Sequence, residues 1–303
     1  MTMVNHLING LSLGSVYAII ALGYTMVYGI AKMLNFAHGD VIMVGAYICF
    51  YAVNQYQLPP VLGILAAVLV CTALGVVVER LAYKPLRAAS SLAVLITAIG
   101  VSYFLQNAAL LLWSANPKVF PLFFTSTRIN EAGERVVVRN LEIGSLSVSY
   151  VAVVTVAACI VIMLALTWFT GRTKLGKAMR ACSEDKGAAQ LMGIDVDATI
   201  SVTFAIGSGL AAIAGVLLCN MYQNLVPTTG SMPGIKAFTA AVFGGIGSIP
   251  GAFLGGMLLG ILEIFAKAYI STQLSDAVVF SALIIVLLVK PTGLLGRPVR
   301  EKV

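Results

Sequence analysis

Long apolar stretches separated by short polar segments run from one end of the chain to the other. The stretches cover residues 7–28, 41–53, 61–78, 92–113, 147–169, 198–220, 235–243, 252–267 and 277–289. A helix needs about 20 apolar residues to cross the roughly 30 Å hydrocarbon core of a bilayer, and the longer stretches reach that length. The pattern predicts an all-α, polytopic helical membrane protein with about eight or nine transmembrane helices, including short or broken ones. We expect a single transmembrane domain over residues 1–303.

Composition and charge support this class and indicate an orientation. The chain is 59% hydrophobic and 10% charged, with a mean hydropathy of +0.97, which excludes an ordinary soluble domain. The net charge of +7 could suggest nucleic-acid binding, but twelve of the 19 basic residues fall in three clusters, at 80–87, 172–186 and 290–302. Basic clusters beside apolar segments mark the cytoplasmic side of a membrane protein. We therefore expect no nucleic-acid partner and a cytoplasmic C-terminus; the N-terminus lies outside if the stretches at 41–53, 235–247 and 277–289 all cross.

Two polar segments are long enough to carry structure of their own. Residues 116–146 form the expected outer loop, with a predicted hairpin over 128–138. Residues 171–197 form the expected cytoplasmic loop, and 179–193 reads as one short helix ending at a glycine. A charged helix of this kind in a cytoplasmic loop indicates a docking surface for a soluble partner.

Two further segments place polar groups or helix-breaking residues at the depth of the membrane. Asn35, His38 and Asp40 follow the first apolar stretch, where they form either a polar turn at the interface or a broken helix along a translocation path. The segment 244–251 cannot continue a helix, and the residues responsible are Gly244, Gly245, Gly247 and Pro250.

The sequence contains no arrangement typical of an enzyme. It has no phosphate-binding loop of the G-x-x-x-x-G-K-[ST] type, and two histidines with five scattered cysteines offer no metal site. The intramembrane carboxylate Glu263 could couple an ion to transport, or could simply pair with Lys267 one helical turn later. A secondary carrier and a channel for a small neutral solute remain open, but the lack of an obvious ion relay favours energy from a partner.

The chain resembles the LivH-type permease subunit of bacterial high-affinity branched-chain amino acid ABC importers. The similarity rests on seven segments in order, at residues 9–18, 23–30, 35–40, 79–87, 180–185, 236–252 and 291–298. The combination of Asn-Phe-Ala-His-Gly at 35–39 with Gly-Gly-Ile-Gly-Ser-Ile-Pro-Gly at 244–251 is the specific part. The resemblance implies a non-catalytic subunit of the bacterial inner membrane that passes leucine, isoleucine and valine. It further implies a second homologous permease, two cytoplasmic ATPase subunits that bind ATP and Mg²⁺, and a periplasmic substrate-binding protein. No cofactor is expected on this chain.

The resemblance also implies an ATPase-coupling loop. In ABC permeases this loop begins Glu-Ala-Ala and has a glycine after three further residues. Gly187, Ala188, Ala189 and Gly193 match that spacing, with Gly187 in place of the glutamate. We expect the loop to lie in a cleft of the ATPase, with these further residues taking part: Arg180, Glu184 and Asp185.

Overall fold

The computed structural model describes residues 2–87, 89–129, 135–143 and 146–296, and within them the chain is mostly helical. The helices are α1 Thr2–Ala31, α2 His38–Asn54, α3 Pro60–Val78, α4 Ser91–Trp113, α5 Tyr150–Arg172, α6 Lys174–Glu184, α7 Lys186–Leu191, α8 Val196–Tyr222, α9 Ser231–Gly244, α10 Ile249–Tyr269 and α11 Ser275–Val289. After α3 the chain continues through a π-helical turn, Glu79–Tyr83, and a 3₁₀ turn, Lys84–Leu86.

Six helices of the described chain are long and apolar enough to cross a membrane: α1, α3 with its extension, α4, α5, α8 and α10. The shorter apolar helices α2, α9 and α11 account for the remaining stretches in the sequence. The prediction of a polytopic helical membrane protein is confirmed. One boundary is wrong, because residues 147–149 belong to a strand that precedes α5.

The strands lie between α4 and α5 and just after α8. Strand β2 Ser126–Ile129 pairs antiparallel with β3 Arg135–Val138, as the predicted hairpin requires, and its turn lies outside the described residues. Strand β4 Asn140–Ile143 pairs with β5 Leu146–Ser149, and the short β1 Lys118–Val119 pairs with β6 Asn224–Leu225. The expected outer loop is therefore attached to the end of α8.

Helices α1 and α8 form the centre of the bundle, and α3, α4 and α5 form its periphery. Most of the apolar length of α1 and α8 is buried, whereas most of that of α3, α4 and α5 is exposed. Since lipid is as apolar as these side chains, their exposure is stable within a bilayer.

Small residues allow the close contact between α1 and α10. A Cβ added at Gly260 would meet the main chain of Gly14, and one added at Gly256 would meet Ala18. A Cβ at Gly10 would lie 2.9 Å from the Cα of Ile261. The residue numbers run in opposite directions, so the two helices are antiparallel and touch through their backbones, as small-xxx-small pairs allow.

The described parts of the three basic clusters lie at one face of the bundle. Arg87 pairs with Asp197 near the start of α8, and Lys186 donates to the carbonyl of Ala31 at the end of α1. Residues 294 and 295 bond to the end of α9. We call this the basic face.

Candidate functional site

The predicted coupling loop forms two helices at the basic face, so the expectation of one helix over 179–193 is wrong. Helix α6 ends at Glu184, Asp185 adopts an extended backbone with φ −156° and ψ 112°, and α7 begins at Lys186. The Asp185 carboxylate accepts a hydrogen bond from the Ala188 N–H at 3.0 Å. This contact satisfies one of the free donors at the start of α7, which is why an aspartate favours a new helix start at this point.

The loop exposes one side and buries the other. Among its predicted residues, Glu184, Gly187 and Ala188 are exposed while Ala189 is buried. Leu191 and Met192, which the sequence analysis did not single out, are 90% and 82% exposed. We call the exposed set Glu184, Gly187, Ala188, Leu191 and Met192 the coupling surface.

Two other predicted residues determine the conformation of the loop. Gly193 has φ +81°, a conformation that favours glycine, and it ends the turn after α7. The Arg180 guanidinium donates to the Gly171 carbonyl at 3.3 Å, which holds α6 against the end of α5.

The inner side of the loop packs on the end of α1. Met179, Cys182 and Ala189 share one buried apolar cluster with Ile30 and Ala31. Lys186 Nζ donates to the Ala31 carbonyl at 2.7 Å. Burial of the ammonium group, followed by repulsion from Arg87 and Lys32, lowers the pKa of Lys186.

A second set of contacts joins α8 to the turn after α3. Glu79 is fully buried, and its carboxylate accepts from Arg87 and, at 2.6 Å, from Ser201 Oγ. Arg87 also pairs with Asp197, which Lys84 contacts at 2.8 Å. The sequence showed Lys84 and Arg87 only as part of a basic cluster, because their partner Asp197 on α8 is more than a hundred positions away.

The predicted path residues Asn35, His38 and Asp40 are all buried. The His38 ring lies 4.6 Å from that of Tyr24, and a Cβ on Gly23 would come within 2.6 Å of His38 Nε2. Gly23 precedes the end of α1 by eight residues, or about 12 Å of helix. Helix α2 therefore begins inside the bundle, not at its basic face.

Helix α9 also begins inside the bundle, next to the start of α2. A Cβ on Gly39 would lie 2.8 Å from the Gly230 carbonyl. Gln106 Nε2 donates to Asp40 Oδ1 at 2.9 Å and approaches Ser231 Oγ at 3.3 Å, so it connects the two helix starts. The Asp40 carboxylate supplies the negative charge that the N-termini of helices favour. This geometry is that of two broken helices and differs from a polar turn at the interface.

The glycine-rich break lies between α9 and α10 at the basic face. Gly244 ends α9, Gly245 and Gly247 have φ +108° and +92°, and Pro250 occupies the first turn of α10. The N–H groups of Leu294 and Leu295 donate to the carbonyls of Phe243 and Gly244, at 2.9 and 2.8 Å.

A narrow crevice brings the two predicted path segments together. It is lined by Tyr24, Tyr28, Asn35, Phe238 and Ile246 among others. Asn35 Oδ1 is held from the opposite side by the Tyr83 hydroxyl at 2.8 Å. The lining of the crevice is apolar apart from Asn35 and two tyrosines.

Glu263 is enclosed by donors from three helices. Its Oε1 accepts from Lys236 Nζ at 2.8 Å and Lys267 Nζ at 2.6 Å, and its Oε2 accepts from the Tyr17 hydroxyl at 2.8 Å. Lys236 also contacts Asp276 at 2.6 Å. The expected pairing with Lys267 is present, within a larger network.

Comparison with known proteins gives consistent matches over nearly the whole chain. Residues 6–288 match a family described as branched-chain amino acid transport system / permease component. The permease protein BraD of Pseudomonas aeruginosa, named as part of a high-affinity branched-chain amino acid transport system, is 45% identical over 98% of this chain and 97% of its own. LivH of Escherichia coli K12, named in the same way, is 46% identical over 97% and 96%. A probable branched-chain amino acid permease LivH of Methanocaldococcus jannaschii is 29% identical over 92% and 88%.

Proposed function

The chain belongs to the family of permease components of branched-chain amino acid transport systems, and from this membership we propose that it is the transmembrane subunit of an ATP-driven importer. The substrates are leucine, isoleucine and valine, in keeping with the names of the relatives BraD and LivH. The family that the sequence segments indicated is confirmed by these matches.

The importer contains this chain, a second homologous permease, two cytoplasmic ATPase subunits and a periplasmic substrate-binding protein. ATP and Mg²⁺ bind to the ATPase subunits, so this chain is a non-catalytic subunit that needs no cofactor of its own. The clustering of basic residues at one face supports a cytoplasmic location for that face and for the C-terminus, in the inner membrane of a bacterium.

The observation that carries the proposal is the exposure of Leu191 and Met192 at the tip of α7. Two large apolar side chains stand out from a segment that also exposes Glu184, Gln190 and Asp195, while Ala189 in the same helix is buried. Exposed apolar side chains rimmed by polar groups are typical of protein docking sites. The coupling surface is therefore the site at which a soluble ATPase docks.

The mechanism follows from these positions. The binding protein delivers an amino acid to the outer loops, including residues 116–146. Closure of the ATPase pair moves the coupling surface, and the bundle changes the face at which it opens. The substrate passes a path near Asn35, His38 and Asp40, and the glycine break at 244–250 lets α9 and α10 move against each other.

The test is leucine uptake in cells that carry Leu191→Ser with Met192→Ser. We expect uptake and co-purification of the ATPase to fall together, with the permease still present in the membrane. The matched control, Leu191→Met with Met192→Leu, keeps both side chains apolar and retains uptake. Ala189→Glu is less informative, because it places a charge in the buried cluster and disturbs folding.

The alternatives predict different results in the same assays. A secondary carrier gives uptake by the purified chain in liposomes with an ion gradient, and a channel gives flux without ATP. Leucine uptake that continues in cells lacking the ATPase contradicts the importer proposal.

A further inference from the structure

One hydrogen bond connects the coupling loop directly to the central helix of the bundle. Lys186 is the first residue of α7, and its Nζ lies 2.7 Å from the carbonyl oxygen of Ala31, the last residue of α1. The two residues are 155 positions apart. No other hydrogen bond recorded among the described residues joins α7 to α1.

The chemistry of a helix end explains why a lysine binds at this point. The last carbonyls of a helix have no partner within it, and a positive charge at that end is favourable. Ala31 is fully buried, so water has little access to hydrogen-bond its carbonyl. Lys32 follows with φ +58° and returns its N–H to Tyr28 at 2.9 Å, which ends the helix sharply and leaves the Ala31 carbonyl to Lys186.

The segment beyond Ala31 leads straight to the predicted path. Residues 32–37 connect α1 to the buried start of α2, and Asn35 in this segment lines the crevice beside Tyr28 and Ile246. Ala189 packs in the same apolar cluster as Ile30 and Met33, on the inner side of α7. A displacement of α7 therefore acts on the junction between α1 and α2 through the Lys186 hydrogen bond and through the shared apolar cluster.

We infer that Lys186 is a positioning residue that transmits movement of the coupling surface to the junction between α1 and α2. This inference rests on the proposed function, since it assigns a role within the ATP-driven cycle. It assigns Lys186 no contact with the ATPase and none with the substrate.

The test uses the complete importer in liposomes and measures leucine transported per ATP hydrolysed. Lys186→Met keeps the length of the side chain and removes the donor. We expect the ATPase still to co-purify and to hydrolyse ATP, while the leucine-to-ATP ratio falls about tenfold, as loss of a charged hydrogen bond allows. Lys186→Arg, which keeps charge and donors, restores most of the ratio. A residue needed only for stability would lower the amount of importer and leave this ratio unchanged.

Lys290→Met is the matched control. Lys290 also donates to a main-chain carbonyl, that of Leu294 at 2.6 Å, but this bond lies within the C-terminal segment. The control should keep the leucine-to-ATP ratio of the unaltered importer.

If Lys186→Met does not accumulate, Lys186→Cys decides the question. Alkylation with 2-bromoethylamine rebuilds a side chain that ends in an amine and should restore the ratio, whereas iodoacetamide should not. A normal ratio in Lys186→Met, or no recovery after aminoethylation, overturns the inference while the proposed function stands. An unaltered importer that moves leucine without ATP overturns the proposed function itself.

Discussion

Replacing Glu263 by leucine is expected to destabilise the protein by about 3 kcal/mol, because the change leaves a buried lysine without its main partner. Glu263 is 1% exposed and its side chain is held by Lys236, Lys267 and Tyr17. Removing one member of a buried ion pair costs about 3–5 kcal/mol, since the remaining charge keeps its desolvation penalty.

The lower end of that range applies because the two lysines differ in their access to other partners. The side chain of Lys236 is 8% exposed, but it retains Asp276 at 2.6 Å. Lys267 is 30% exposed and can turn toward water. The larger part of the loss therefore comes from Lys236.

The double variant Glu263→Leu with Lys236→Met separates this cause from simple loss of packing. It removes both buried charges and leaves Lys267 and the 41% exposed Asp276, which can both be hydrated. We expect it to recover at least half of the lost stability, because apolar replacements of buried ion pairs are often neutral or better. The measurement is the free energy of unfolding of the detergent-solubilised protein in a denaturant titration.

Two results would refute this reasoning. Full stability of Glu263→Leu would mean that the network contributes nothing, and a double variant less stable than the single one would mean that uncompensated charge is not the cause. A stable double variant that has lost leucine uptake would instead give the pair of Glu263 and Lys236 a transport role, as a secondary carrier requires.

The remaining predictions concern the packing of α1 and the support of Asn35. Gly260→Ala should cost about 1–3 kcal/mol in the same unfolding assay, because its Cβ meets the main chain of Gly14 and the helices must separate. Gly100→Ala, with nothing within 4 Å of the added Cβ, should be neutral or stabilising by up to about 1 kcal/mol; an equal loss in both variants would contradict the packing argument. Tyr83→Phe should cost about 1–3 kcal/mol, because the buried Asn35 loses its donor, and an unchanged free energy of unfolding would show that Asn35 finds another partner.

The apolar helices could be predicted from the sequence because each one follows from a local pattern. The nine apolar stretches predicted their approximate bounds, including those of the short α2, α9 and α11. The end of α9 was also predictable, since Gly244–Gly247 cannot continue a helix. The break at Asp185 was missed, although an aspartate three residues before Ala188 is a local signal for a helix start.

The contacts between distant segments could not be predicted from one sequence. Glycine pairs at spacing four were visible in α1 and α10, but nothing local shows that Gly14 faces Gly260. The pairing of Glu263 with Lys267, four residues later, was expected from the sequence. The pairing with Lys236 was not, because Lys236 lies on another helix. The bond from Lys186 to Ala31 has no sequence signal, because any main-chain carbonyl at a helix end can accept it.

The attachments of α1 differ along its length, and this difference decides which part of it can respond to movement of the coupling surface. Gly10 and Gly14 touch the backbone of α10, and Tyr17 is bonded to Glu263, so this half cannot slide without breaking main-chain contacts and a buried polar network. The other end stops at Ala31, is followed by an irregular segment, and is bonded to the coupling loop by one half-buried lysine. Movement of α7 should therefore reorient residues 32–37 and the start of α2, while the first half of α1 stays fixed on α10.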